Sequence, residues 1–420
     1  MQGLSLKLPR AVYWFTLAAF ALRLIARLAT GIAGFWVNGY AFFFEMAQNI
    51  ARGRGIALGE LPTALRVPVY PLFLAALTLG HKAFWPIAIA QSAIGAGTAF
   101  CAALLARQIF RSGRAATLAA AAVAVYPYYV LHDTALEETS LFTLLSVAAV
   151  LLLARTAECS RPIAGAWAGV LLGLDVLTRA TIAPFALMAP LWLLARKRVQ
   201  AGAACVALLV LTLAPWLVRN AVLTGTATLS TETGIELWAA NNGFLFRHYP
   251  RESIDRSKTD ALIALSARDR QELDRMGNGE EGTNRWFMQK AFAYMRAHPA
   301  QTAIDDGRKV VAAYCWLPSP RRGRLADGVY ALSYGPVMAL GLWGMWRRRR
   351  HWREDSLFYL LFASFTAVTA IFWAHTAHRA YLDVYWMVFA AGALAEVSAG
   401  GARGGTGIET GGHAAAQDER

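Results

Sequence analysis

Long apolar runs separated by short polar links recur along the whole chain, at residues 11–33, 86–106, 115–131, 139–154, 163–177, 181–195, 201–218, 328–346, 357–373 and 382–397. Crossing a bilayer as a helix takes about 20 mostly apolar residues. The pattern therefore predicts an all-α polytopic membrane protein with about ten transmembrane helices. A further apolar stretch, 67–80, is too short to cross and reads as a juxtamembrane or re-entrant helix. The first run is too long for a signal-peptide core and lacks a small-residue cleavage site, so it reads as a retained helix.

Basic residues punctuate these runs: Lys7 with Arg10; Arg107, Arg111 and Arg114; Arg155 and Arg161; Arg196, Lys197 and Arg198; and Arg347, Arg348, Arg349, Arg350 and Arg353. Short basic loops stay cytoplasmic during insertion. Counting 67–80 as a span would put the Arg107 cluster outside, whereas leaving it out puts every cluster inside. Segments 34–85, 132–138, the neighbourhood of Arg179, 219–327 and 374–381 then face outward. The expected organisation is an N-terminal transmembrane region (1–218) with a first external loop at 34–85, an external domain (219–327), C-terminal transmembrane helices (328–398) and a disordered cytoplasmic tail (399–420) rich in Gly and Ala. Within the external domain, helical spacing at 260–276 and 283–297 is interrupted by Gly277-Asn278-Gly279.

Composition changes the picture in two ways. The net charge of +14 would point to nucleic acid in a soluble chain, but with 56% hydrophobic residues and 16% charged ones, most of the excess sits in the basic loops. It reports orientation, and no nucleic-acid partner is expected. The four cysteines, Cys101, Cys159, Cys205 and Cys315, do not form a disulfide framework, and Cys315 reads as a lone thiol at the outer face. The chain has no internal repeat, which weighs against a transporter of inverted halves.

Three motifs stand in the outward segments: residues 42–55 (FFFEMAQNIARGRG) followed by Arg66-Val-Pro-Val-Tyr-Pro71; Pro215-Trp-Leu-Val-Arg-Asn220 continuing into 231–242; and 374–381 (AHTAHRAY) at the mouth of the last span. In order and spacing these resemble the bacterial polytopic glycosyltransferases of the GT-C fold, related to protein O-mannosyltransferases and aminoarabinose transferases, over residues 22–394. The resemblance implies a GT-C-like bundle with external juxtamembrane helices and a small external helical domain. It also implies transfer of a sugar from a polyprenyl-phosphate carrier to a glycan, lipid or protein acceptor at the outer face of the bacterial inner membrane.

That chemistry needs a cation for the phosphate leaving group and a carboxylate to take the acceptor's proton. The family keeps an Asp in the first external segment where this chain has Gly39, a departure that leaves Glu45 and Glu138 as candidate bases. Glu45 ranks first because it lies beside the Arg66 segment; its alternative is a solvent-facing carboxylate paired with Arg52 or Arg54. Two adjacent Glu diverge by about 100° on a helix, so Glu138 is assigned to the cavity and Glu137 to the surface. A carboxylate at a helix N-terminus is the alternative account for Glu138.

Arg66 and Arg379 are the expected phosphate ligands, with Arg219 and Lys309 secondary; an interface side chain with its head in water is the competing account, above all for Lys309. Arg179 follows Asp175 by four residues, which reads as a helix-face ion pair. Tyr70, His378, Asn220 and Trp238 are expected around the substrate. Interface anchoring is the alternative for Tyr70 and Trp238, as for Trp216 and Tyr385. His375 and His378 share a spacing that could hold a metal, but nothing completes the set, and no metal or other cofactor is expected. The donor, as a lipid-linked sugar, needs no nucleotide loop, and none is present. A lipid-linked saccharide flippase and a non-catalytic carrier-lipid-binding relative share these features; the missing Asp favours the latter.

Overall fold

The computed structural model describes residues 7–36, 40–159, 161–277, 279–373 and 376–404. Gly39, His375 and residues 405–420 of the tail lie outside them.

The described chain is helical apart from one small hairpin. The N-terminal part runs α1 (Arg10–Ala29), α2 (Ala41–Ala51), the hairpin β1 (Ala57–Leu58) and β2 (Leu61–Pro62), α3 (Val69–Thr78), α4 (Phe84–Phe110), α5 (Gly113–Val125), α6 (Pro127–His132), α7 (Thr139–Cys159), α8 (Pro162–Val176), α9 (Ala183–Ala195) and α10 (Val199–Thr224). Five helices follow in the segment expected outside: α11 (Thr233–Ala239), α12 (Ile254–Ile263), α13 (Ala267–Met276), α14 (Glu280–Ala297) and α15 (Pro299–Tyr314). The last three are α16 (Arg324–Arg347), α17 (Ser356–Ile371) and α18 (Thr376–Gly404).

Every span expected from the apolar pattern but 115–131 coincides with a helix. Five of them, α1, α4, α7, α10 and α18, are long and apolar enough to cross a membrane. The segment 115–131 is not one helix. Pro127 has no N–H to continue the ladder, Tyr126 before it is extended (φ −63°, ψ 114°), and α6 starts afresh. The short apolar stretch forms α3, whose ten residues span about 15 Å and end at Leu79 in the left-handed region (φ 48°). Helical spacing at 260–276 resolves into two helices because the Ser266 hydroxyl accepts from the Asp269 N–H at 3.1 Å and caps α13. Gly277 (φ 53°) then ends that helix, as expected.

The bundle closes on small residues. Gly165 and Gly169 of α8 lie so close to α10 that a Cβ on either would come within 2.2 Å of the carbonyl oxygen of Ala201 or Cys205. Association by small residues at four-residue spacing is how helices pack where lipid removes the hydrophobic drive between them.

Two buried ion pairs organise the polar interior. Arg23 of α1, 0% exposed, donates from Nε to Asp133 at 2.6 Å and from its Nη atoms to the carbonyls of Ala19, Val123 and Ala124. The guanidinium fills the space at Gly95 of α4, where a Cβ would sit 2.1 Å from Nε. On α18, Arg379 donates to Asp383 at 3.1 Å, to the Ala313 carbonyl at 3.0 Å and to the Tyr330 hydroxyl at 2.7 Å, while Tyr126 donates to Asp383 at 2.8 Å. Arg379 thus lies in the bundle core, 1% exposed and 3.4 Å over the centre of the Tyr334 ring, where its sequence position had implied a cation with its head open at the interface. Tyr385 is likewise a core residue, its hydroxyl 2.8 Å from that of Ser146.

Removing one partner of a buried pair strands the other charge. Arg23→Ala is expected to destabilise the protein by about 3–5 kcal/mol, read by denaturant unfolding in detergent micelles. A loss under about 1 kcal/mol, the range of an exposed pair, would contradict the account.

Candidate functional site

The turn between α6 and α7 carries the acidic cluster and is held from three sides. Arg23 binds Asp133; the Gln91 side chain of α4 donates to the carbonyls of Asp133 (2.7 Å) and Ala135 (2.8 Å); and Tyr70 of α3 donates to Gln91 at 3.4 Å. Tyr70 is therefore a buried support of the turn.

This scaffold presents Glu138 to Arg179. The α8 helix stops at Val176, so Arg179 is extended (φ −152°, ψ 113°) and cannot face Asp175 as a helix pair would. Its guanidinium instead donates twice to Glu138 Oε1, at 3.0 and 2.7 Å, and lies 5.1 Å over the Phe142 ring. Burial pulls the Arg179 pKa down, but the Glu138 carboxylate outweighs it and the net shift is upward. Glu138 Oε2 is buried with no hydrogen-bond partner. Glu137 does not face the surface: its side chain is 15% exposed, its Oε1 also lacks a hydrogen bond, and His132 Nδ1 stands 3.8 Å away. Both oxygens of buried Asp175 are unpartnered.

Tyr40, at the start of α2, ties this group to the first external loop. Its phenol is raised to about 12, by burial first and then by Glu138 and Glu137, with Arg179 and Arg66 acting the other way. The phenol therefore senses two carboxylates and two guanidiniums around one spot. Arg66 lies 5.0 Å over the Phe42 ring and donates to Glu232 at 2.8 Å. Glu232 belongs to a strap that laces onto the first loop: Thr231 N–H donates to the Ala64 carbonyl at 3.0 Å, and Glu280 accepts from both the Ala64 N–H (2.8 Å) and the Thr231 hydroxyl (3.0 Å). Between hairpin and strap is a cavity of about 330 Å³ lined by Leu58, Leu61, Thr231, Ile235, Glu280 and Phe287 among others. A larger hollow of about 560 Å³, around Trp286 and Lys290 on α13 and α14, shares no lining residue with the cluster.

The remaining candidates have structural partners. Glu45 is exposed, accepts from the Gly59 N–H at 2.7 Å and pairs with neither Arg52 nor Arg54; the latter meets Glu60 at 3.7 Å. Arg219 spends its donors on the carbonyls of Thr63 (2.6 Å) and Ile56 (2.9 Å) and on Asn220, which in turn donates to the Thr228 carbonyl at 2.8 Å. Together they pin the hairpin to the end of α10. Trp238 packs against Phe287 inside the external domain, and Trp216 donates to the Leu229 carbonyl at 2.9 Å. Lys309 does not reach water: it is 0% exposed, pairs with Asp306 at 2.9 Å, and burial lowers its pKa. His378 is half-buried on the first turn of α18. Among the described residues, no group of three or more His, Cys, Asp or Glu is arranged to hold a metal.

Sequence reasoning missed Arg179, Tyr40, Glu137 and Glu232. The signal for Arg179 was the Thr178-Arg179 break at the end of α8, which takes it off the helix face.

This helical bundle, with short helices packed beside the long apolar ones, has the GT-C fold of membrane glycosyltransferases. Residues 66–220 match the family model of dolichyl-phosphate-mannose-protein mannosyltransferases. The archaeal oligosaccharyltransferase AglB from Archaeoglobus fulgidus, in complex with an inhibitory peptide and a dolichol-phosphate, aligns with a TM-score of 0.52 at 15% identity over 95% of this chain and 52% of its own. The apo form of the Archaeoglobus fulgidus oligosaccharyltransferase aligns at 0.55 and 15% identity over 96% and 52%, and its complex with Zn and sulfate at 0.53 and 17% identity over 93% and 49%. The chain spans about half the length of these structures. No curated protein matches it.

Glu232 makes Arg66 sensitive to pH. Burial raises its carboxyl to about 7, against the opposing pull of Arg66. A raised carboxyl contributes stability that is fully present below its ordinary range and lost as pH rises through about 7. Below that pH Glu232 is neutral and Arg66 is released to an anion. Binding of a short-chain polyprenyl phosphodiester, whose own charge is fixed in this range, should therefore tighten as pH falls through about 7, and Glu232→Gln should hold it at the tighter level throughout. A titration with the same pH profile in both proteins would contradict this.

Proposed function

We propose that this chain transfers a sugar from a polyprenyl-phosphate carrier to a cell-envelope acceptor at the external face of the bacterial inner membrane. The observation that carries the reading is the Arg179–Glu138 pair at the turn before α7, with Glu138 Oε2 buried and unpartnered beside the guanidinium and the half-exposed Arg66 on the loop that follows α2. The family match over 66–220 supports it, since that stretch contains Arg66, Glu137, Glu138 and Arg179. So does the solved oligosaccharyltransferase that holds a dolichol-phosphate on the same fold.

In this reading the donor's phosphate displaces Glu232 from Arg66, a half-exposed cation able to grip two phosphate oxygens. Arg179 holds Glu138 through Oε1, so that Oε2 is left to accept the proton of the acceptor's hydroxyl or amine. The acceptor atom bonds to the anomeric carbon as the carbon–oxygen bond to phosphate breaks, and the leaving phosphate's charge is met by Arg66. A single displacement of this kind inverts the anomeric centre. Glu138 thereby takes precedence over Glu45, whose carboxylate is occupied by the hairpin. The Gly39 substitution favours one second reading, a relative that binds the carrier lipid without turnover.

A labelled polyprenyl-phosphate sugar distinguishes the readings as transfer, movement without transfer, or binding alone. Arg66→Ala should weaken donor binding by about 1.5–3 kcal/mol, the worth of a charge-assisted contact; unchanged affinity would remove Arg66 from the site. Glu138→Gln should abolish transfer with donor binding intact, while Glu45→Gln retains turnover. Full turnover in Glu138→Gln would place the base elsewhere, and donor binding without turnover in the unmodified protein would favour the non-catalytic relative.

A further inference from the structure

The helix α15 is built inside out. Ala300, Ala303, Ile304, Gly307 and Val311 fall on one stripe and all are exposed, Ile304 by 58% and Val311 by 70%. Two of its charged residues, Asp305 and Lys309, point the other way, while Arg308 and Asp306 lie at the flanks with side chains 51% and 36% exposed. Asp305 is buried, and Lys309, directly opposite the stripe, donates to the carbonyls of Ala240 and Ile371 and to the Asn241 side chain. Arg308, at the edge of the stripe, lies 3.8 Å over the Phe246 ring and pairs with Asp305 at 3.0 Å.

A helix whose outer side meets water shows the opposite polarity. The neighbouring α13 does so: none of its residues is buried, and Arg268 extends with its side chain 88% exposed. Both helices come from the same segment, so the inversion belongs to α15 and to what covers it.

We propose that the outward stripe of α15 is immersed in the acyl-chain layer of the outer leaflet, so that its partner is the lipid bilayer. A second observation identifies lipid as the occupant. Large apolar side chains are exposed after the helix as well, at Trp316 (58%) and, beyond the exposed Arg322 and Arg324, at Leu325 (84%), Val329 (43%) and Leu332 (79%) of α16. That helix packs along α18, which is long and apolar enough to cross a membrane, and α15 itself rests on α17 and α18. The stripe therefore extends the bundle's lipid-facing surface, and the inward charges are those that hydrocarbon would reject.

The test uses the full chain in phospholipid nanodiscs, with an environment-sensitive fluorophore on Ile304→Cys, Val311→Cys or Arg268→Cys. The unsubstituted chain, labelled in parallel, gives the background from its native cysteines. All three positions are exposed, so the substitutions leave the interior intact; Ala300→Cys and Ala303→Cys give the same reading if either stripe variant is lost in preparation. Nitroxides on the lipid chains should quench the label at 304 and 311, and aqueous iodide should quench it there at least about tenfold less than at 268, because ions are excluded at bilayer depth. Iodide quenching at 304 and 311 equal to that at 268 would overturn the proposal. So would protection from both quenchers, which would mean that protein, such as a second copy of this chain, covers the stripe.

Discussion

The buried contact between Arg23 and Asp133 is the constraint on which the Glu138–Arg179 site depends. It joins α1 to the turn between α6 and α7, and its guanidinium also satisfies the carbonyls at the end of α5. Bare glycine at position 95 leaves room for it. Taking two charges out of water is expensive, so the pair specifies an arrangement more than it adds stability. With the turn fixed by Arg23 and Gln91, Glu138 has one place to go, against Arg179, and a free carboxylate oxygen remains beside a cation.

The mouth has two walls from distant parts of the chain. The first external loop supplies Tyr40, Phe42 and Arg66; the strap before α11 supplies Glu232 and the hydrogen bonds that lace it to residues 64 and 65. Glu280 serves both walls by accepting from Ala64 and Thr231. Arg219 anchors the hairpin carbonyls, so a cation that sequence position offered as a phosphate ligand is instead part of the frame. In the Arg66–Glu232 pair the Arg66 side chain is 37% exposed, and this is the contact that an incoming anion would exchange.

The bundle was legible because hydropathy and basic loops are properties of each segment alone. Each apolar run became a helix except 115–131, which Pro127 divides, while 67–80 formed the short α3 and Gly277 ended α13. The polar interior was not legible, because its pairings join residues far apart in sequence. Arg379 carries a motif position at the start of a helix, yet Asp383 one turn later draws it into the core. Arg179 and Asp175 have helix-pair spacing, but the helix stops between them. Glu137 and Glu138 were read as adjacent helical residues with one facing outward, yet both lie in the turn before α7, Glu138 buried and Glu137 mostly so. Lys309 shows the limit most plainly: a lone Lys in a polar segment reads as solvated, and only the inverted polarity of α15 explains why it is not.

The central claim is that one outward mouth gathers the phosphate cation and the proton acceptor. The most direct test is an experimental structure of the protein with a polyprenyl-phosphate sugar or its non-hydrolysable analogue bound. The account predicts phosphate oxygens within about 3 Å of the Arg66 guanidinium, Glu232 turned away, and Glu138 Oε2 on the side of the anomeric carbon from which the acceptor approaches. A phosphate seated away from Arg66, with the Arg66–Glu232 pair intact and Glu138 remote from the sugar, would contradict it.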